Sequence, residues 1–246
     1  MVESIWRKGK LFGFMLLAGI LLMAKPALAD SYYPYEIQGY DVTVKVGKDN
    51  VYHVTERLQV NFNQARHGIY RDIPVINNVS REDGSTSRIQ ARVTNIKTYG
   101  EKKTVGREGS YCRIQLGDKN KTLVGEHMYH ISYDYNMGKD VRKGEDEFYY
   151  NIIGTSWDTT IQNVTFHIMM PEDIDESKVG MAYGESGSTN NEGLQYTING
   201  KVMEGYVDPS IILNPGEAVT VRMVLPDGYY DQVKQRIWPA LIDRKS

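Results

Sequence analysis

The chain has 246 residues, with 29 basic and 31 acidic side chains, one cysteine and 18 tyrosines. Without its first 29 residues it keeps 217, with 25 basic and 30 acidic side chains and a net charge of −5. No basic run survives in that part, which argues against nucleic acid or an anionic lipid surface as a partner. A lone cysteine excludes a disulfide framework.

Residues 1–29 have the form of a signal peptide. Arg7, Lys8 and Lys10 precede the apolar run Leu11 to Met23, and Ala27-Leu28-Ala29 offers a small-x-small cleavage site. The run of 13 residues falls short of the roughly 20 that a membrane span needs. Cleavage after Ala29 exports the remainder. A skipped site leaves the same residues as an amino-terminal anchor.

From Glu36 onward the dominant period is two. Tyr40, Val42, Val44 and Val46 alternate with polar residues, Gly47-Lys48-Asp49-Asn50 makes a turn, and Tyr52, Val54, Glu56, Leu58, Val60 and Phe62 return on one face. Glu56 interrupts that apolar face. A buried carboxylate needs a partner or a raised pKa. Arg71 lies in phase with Ile69 and Ile73, so it points inward with them and is the expected bidentate partner of Glu56.

Asn77 to Arg88 reads as a polar loop, residues 88–99 as a strand, and Glu101 to Ser110 as a charged, glycine-punctuated connection. Tyr111 to Leu116 and Glu126 to Tyr135 alternate as strands, and Cys112 shares a face with Ile114 and Leu116, as a buried structural thiol would. Glu145-Asp146-Glu147 and Glu172-Asp173 read as solvated loop charges. Further strands are expected at 148–153, 164–170, 179–183, 194–198, 201–207 and 217–225. About twelve strands without a helical repeat indicate an all-β sandwich over residues 30–228, either one sandwich or two meeting near Gly154-Thr155-Ser156. Tyr229 to Ile242 places Val233, Ile237 and Trp238 at helical spacing, interrupted by Pro239, so residues 229–246 form a tail with a short helix.

Val54-Thr55-Glu56, Phe62 and the run His67-Gly68-Ile69-Tyr70-Arg71-Asp72-Ile73-Pro74 resemble the bacterial predicted membrane proteins grouped as domain of unknown function DUF2207. Ile131-Ser132-Tyr133, Tyr150-Asn151 with Trp157, and Met170-Pro171 look like later parts of the same domain, so the resemblance covers residues 36–228. It implies an extracytoplasmic, β-rich domain of the bacterial cell envelope, preceded by a signal peptide and followed by membrane helices. Here no apolar run of spanning length follows Leu225 before Ser246, which fits a short soluble form or a fragment ending ahead of the span. The family brings no established activity, hence no catalytic residues.

Two readings of the eight-residue run follow. Its outward residues His67, Tyr70 and Asp72 can recognise a sugar, a peptide or a wall polymer. Its inward residue Arg71 makes the run a clamp with Glu56, in which Gly68 permits a bend and Pro74 ends the strand. Other candidates are weaker. His127 and His130 fall on opposite faces of a strand, so they make no metal site, and Asp118, Asn120 and Thr122 resemble the start of a calcium loop but lack its glycine and late glutamate. Gly184-Glu185-Ser186-Gly187-Ser188 lacks the second glycine of a nucleophile elbow. No cofactor motif is present. The expectation is a non-enzymatic binding, sensing or assembly module whose partner is an envelope or membrane protein or a wall polymer. The rival is an envelope hydrolase using acids such as Asp72 or Asp158.

Overall fold

The computed structural model describes residues 33–80, 84, 86–139 and 144–234. The expected signal peptide lies outside the described residues, as does the tail beyond Lys234. Tyr229 to Lys234 form turns and irregular backbone, so the helix expected from Tyr229 does not begin there.

Among the described residues the fold is built from fifteen strands and one 3-10 turn, Glu176–Lys178. The long first hairpin is β1 (Tyr35–Val46) and β2 (Val51–Arg66). After it come β3 (Ile69–Pro74), β4 (Ile76–Ser80), β5 (Thr86–Gln90), β6 (Arg92–Thr98), β7 (Lys103–Glu108) and β8 (Tyr111–Leu116). Then follow β9 (Leu123–Asn136), β10 (Glu145–Ile153), β11 (Val164–Met169) and β12 (Val179–Gly184). The chain closes with β13 (Leu194–Asn199), β14 (Val202–Val207) and β15 (Ala218–Pro226).

The main layer is a seven-stranded sheet in the order β13-β14-β11-β1-β2-β9-β6. Period-two patterning gives it one buried and one polar face. Val42, Val44, Val54, Leu58, Val60, Ile131, Phe166 and Ile168 are sealed on the inner face, while Lys45, His53 and Arg57 face solvent. Burying one such apolar side chain contributes about 1.5–3 kcal/mol. Two three-stranded sheets, β10-β15-β12 and β3-β8-β7, cover that inner face, and β4 and β5 form a separate hairpin. Phe148 and Tyr150 of β10 meet Tyr52 of β2 with ring centroids 5.1 and 5.8 Å apart. At the Gly154-Thr155-Ser156 turn Gly154 is buried and Thr155 is exposed. Gly154 backs onto the Arg71 guanidinium, and Trp157 packs edge-on against Tyr40.

Two close approaches need glycine. Gly68 has φ +127° and Gly117 has φ +135°; an added Cβ would stand 1.9 Å from the Leu116 carbonyl oxygen in one case and 2.0 Å from that of His67 in the other. These two glycines let the end of β8 pass against the bend before β3. In β14, Gly205 lies opposite Phe166, and a Cβ there would fall 2.2 Å from the aromatic ring.

Several local expectations change. The polar stretch 77–88 contains the β4–β5 hairpin, paired from Ile76↔Gln90 to Ser80↔Thr86. The connection at 101–110 holds β7, every residue of which is exposed. With no buried face β7 has no hydrophobic period, so that segment reads as a loop. Asp146 and Glu147 are buried on β10 rather than solvated. Glu147 is paired with Arg222 at 2.6 Å, and Asp146 accepts the Tyr230 backbone N–H at 3.0 Å.

Candidate functional site: a motif with a sealed and an open face

β3 carries the chemistry of the eight-residue run, and its alternation divides that chemistry between two environments. Ile69, Arg71 and Ile73 are buried, Tyr70 is exposed, and Asp72 lies between. β3 pairs antiparallel with β8, which sets Arg71 opposite Ile114 and Asp72 opposite Arg113.

On the inner side the structure brings Glu56 and Arg71 together, both sealed from solvent. Arg71 donates from Nε to Glu56 Oε2 and from Nη2 to Oε1, each at 2.8 Å. The Tyr40 hydroxyl donates to Oε2 at 2.7 Å and the Tyr133 hydroxyl to Oε1 at 2.6 Å. Tyr150 extends the network through a 3.0 Å contact between its hydroxyl and that of Tyr133. Arg71 Nη1 donates to the Asp72 carbonyl at 2.8 Å, and the guanidinium carbon sits 5.7 Å from the Trp157 ring centroid. Two hydrogen bonds on each carboxylate oxygen leave Glu56 well satisfied.

The electrostatics follow. Burial on its own would raise the Glu56 pKa, but the Arg71 charge and the hydrogen bonds from Arg71, Tyr133 and Tyr40 outweigh it, and the net shift is downward. Burial, reinforced by the Glu56 charge, pushes the Tyr40 and Tyr133 phenols well up, so both stay protonated and remain donors.

On the outer side Asp72 is held by Arg113, Nε to Oδ1 at 2.8 Å and Nη2 to Oδ2 at 2.7 Å. The same guanidinium lies 5.1 Å from the centroid of the Tyr70 ring, and Glu108 approaches it at 3.6 Å. Half of the Tyr70 surface stays open to solvent. A shallow depression beside this group is lined by Asp72, Glu108, Tyr111 and Arg113 among others. His67 stands apart: its Nδ1 donates to the Lys121 carbonyl at 2.8 Å, which ties down the turn before β3. Of the three outward candidates, then, Tyr70 and Asp72 share one guanidinium and His67 serves the neighbouring loop.

Arg113 was the residue that sequence reasoning missed. Its phase in Tyr111-Cys112-Arg113-Ile114 places it outward, as Asp72 is outward, but only the β3–β8 register makes them partners. Tyr40 alternates with Val42 and Val44, and Tyr133 with Ile131 and Tyr135, so by sequence both fit an apolar face. Their hydroxyls converge because Val42↔Glu56 and Glu56↔Ile131 are cross-strand pairs, which puts each tyrosine two residues along a strand flanking Glu56.

The remaining candidates resolve locally. His127 pairs with Glu101 at 2.8 Å and His130 stacks on Tyr99 on the opposite face of β9. Asp118 accepts the Asn120 backbone N–H and pairs with Lys102. Ser188 Oγ donates to the Tyr183 carbonyl within a loop. Asp158 accepts a hydrogen bond from the Tyr35 hydroxyl. Cys112 is half-buried rather than fully enclosed, and burial followed by the Asp72 charge raises its pKa. Among the described residues, no group of three or more His, Cys, Asp or Glu could hold a metal ion, and no helix is long and apolar enough to cross a membrane.

The family model for the predicted membrane protein (DUF2207) N-terminal domain matches residues 36–225. The chain belongs to this family. The matched region spans β1 to β15 and so includes both faces of the β3 motif. No curated protein matches the chain. Among solved structures, the M1 zinc metallopeptidase from Deinococcus radiodurans is similar at 9% identity and a TM-score of 0.40, covering 76% of this chain and 42% of that one. Leukotriene A4 hydrolase from Saccharomyces cerevisiae is similar at 7% identity and a TM-score of 0.42, covering 81% of this chain and 32% of that one. This chain therefore spans less than half the length of either.

Proposed function

We propose that this DUF2207 domain is a non-enzymatic, extracytoplasmic binding module of the bacterial envelope, and that the Tyr70–Arg113–Asp72 surface is where it meets its partner. The observation that carries this reading is the division of the β3 motif. Its strongest ion pair, Glu56–Arg71, is sealed and saturated with hydrogen bonds, so it holds the sheets together and is closed to substrate. The outward half presents a half-exposed phenol backed by a guanidinium and a carboxylate, a combination suited to stacking on a sugar ring or hydrogen-bonding a peptide. Asp72 and Asp158, the acids that a hydrolase would recruit, are each committed to another partner, Arg113 and Tyr35. An exported wall-facing location agrees with the amino-terminal pattern of residues 1–29 and with the family's membrane-protein description.

The test compares the mature domain with its Tyr70→Ala variant in pull-downs from envelope fractions and in sedimentation with purified cell wall. Selective loss of a partner or of wall binding in the variant is the expected result. Equal recovery of every partner by both proteins removes the recognition role of this surface.

A further inference from the structure

A second feature lies on the other side of the β7–β8 ribbon. Among the described residues β7 pairs with β8 alone and is exposed along its whole length. Cross-strand register puts Arg107 opposite Cys112 and Val105 opposite Ile114, so Arg107 and Val105 share the inward face of this small sheet. Ile114 is sealed, whereas Val105 is 46% exposed, because the core ends beneath β8. Under the overhang runs a trough of about 430 Å³. Val75, Ile76, Ala91 and Val93 give it apolar walls, Cys112 lies along it, and Arg92 and Arg107 are its charged residues.

We propose that this trough binds a free single-chain amphiphile with a carboxylate head, its acyl chain along the apolar walls and its head against Arg92 and Arg107. This goes beyond the Tyr70 surface and does not depend on it. Small-molecule sites are typically concave and mostly apolar, of roughly 300–1,000 Å³, with a few polar groups fixing orientation, and the trough has that composition. Among the described residues no acidic side chain lines it. Among the described residues neither Arg92 nor Arg107 has a carboxylate partner, although the chain carries 31 acids; Arg107 meets only the Gly109 carbonyl. Two such cations beside a half-buried apolar wall favour an anion that brings its own hydrocarbon. A guanidinium and a carboxylate also match in bidentate geometry.

The experiment uses the chain's own single cysteine as a reporter. Palmitate and hexadecanol, which share a chain length and differ in the head, are titrated below their aggregation limits. Each titration follows displacement of a fluorescent fatty acid and protection of Cys112 from a maleimide. Palmitate should protect Cys112 and displace the probe, hexadecanol should bind about tenfold more weakly, and Arg92→Glu with Arg107→Glu should cost about a hundredfold for palmitate. Both arginines are exposed, so the double variant should keep the wild-type circular dichroism and melting midpoint. Protein already carrying the maleimide on Cys112 should no longer take up the probe. Equal affinity for acid and alcohol, unaltered Cys112 labelling at saturating palmitate, or unaltered affinity in the charge-reversed variant each overturns the proposal. So does binding to an acidic extended peptide or to anionic vesicles in the absence of binding to free palmitate. Loss of wall binding in Tyr70→Ala leaves all these readouts unchanged, which keeps the two sites separable.

Discussion

Breaking the Glu56–Arg71 pair from one side should cost far more than removing it whole. In Glu56→Gln, Arg71 keeps its charge in a sealed site with only a neutral amide and the Asp72 carbonyl to meet it. In Arg71→Leu, the carboxylate keeps two phenol donors but loses two charge-assisted hydrogen bonds. An uncompensated buried charge costs about 3–5 kcal/mol. With an m-value of about 2.5 kcal/mol/M in urea, that loss moves the unfolding midpoint down by between about 1 and 2 M. The double variant removes both charges and leaves an amide among three tyrosines, so its loss should fall short of the summed single losses by about 1–3 kcal/mol. Urea denaturation followed by tyrosine and tryptophan fluorescence measures all four corners of the cycle. Single losses that add to within about 0.5 kcal/mol would refute the coupling and with it the view of the motif as a clamp.

Three further outcomes follow from the same geometry. Because the folded pKa of Glu56 is lowered, its contribution to stability is fully present above the ordinary carboxylate range near 4.5 and is lost as the pH falls through the folded value. Wild type should therefore lose stability more steeply on acidification below that range than Glu56→Gln does, as measured by urea midpoints at several pH values; parallel curves contradict the assignment. Gly68→Ala places a methyl group 1.9 Å from the Leu116 carbonyl oxygen at a positive φ and should cost at least about 3 kcal/mol, read as a fall in melting temperature. Gly205→Ala should cost about 1–3 kcal/mol through displacement of the Phe166 ring, visible as altered near-ultraviolet circular dichroism with the far-ultraviolet spectrum retained.

The clamp was legible in the sequence because one residue broke a rule. Glu56 interrupts six alternating positions, and Arg71 falls in phase with two isoleucines, so the two departures from binary patterning identify each other. The all-β architecture was legible for a related reason: strands with one sealed face carry a period of two. What lacked that asymmetry went unread. β7 has no buried residue, and nothing in Lys103-Thr104-Val105-Gly106-Arg107-Glu108 distinguishes it from a charged connection. The Asp72–Arg113 pair depends on a register between segments 41 residues apart, and a surface aspartate and arginine are each unremarkable alone. Tyr40 and Tyr133 were hidden by their own ambivalence, since a tyrosine satisfies an apolar pattern with its ring and a polar network with its hydroxyl.

The position of β1 has a consequence for the order in which the molecule assembles. It sits at the middle of the seven-stranded sheet, antiparallel to its neighbour β2 but parallel to β11, whose paired residues lie 124 positions later, as Tyr40↔Val164 shows. One edge of the first hairpin therefore has no partner until most of the chain has been made. Glu56 waits as well, since Arg71 follows soon but Tyr133 comes 77 residues behind. Non-local pairing of this kind is slow, because a large loop must close before any contact compensates for it. A nascent chain thus carries an open strand edge and a hydrated carboxylate on the face that will become its core. That carboxylate, with only the Tyr40 hydroxyl of its own hairpin as a partner, opposes premature association of the hairpin with other strands until the Arg71 guanidinium and the Tyr133 phenol arrive to satisfy it.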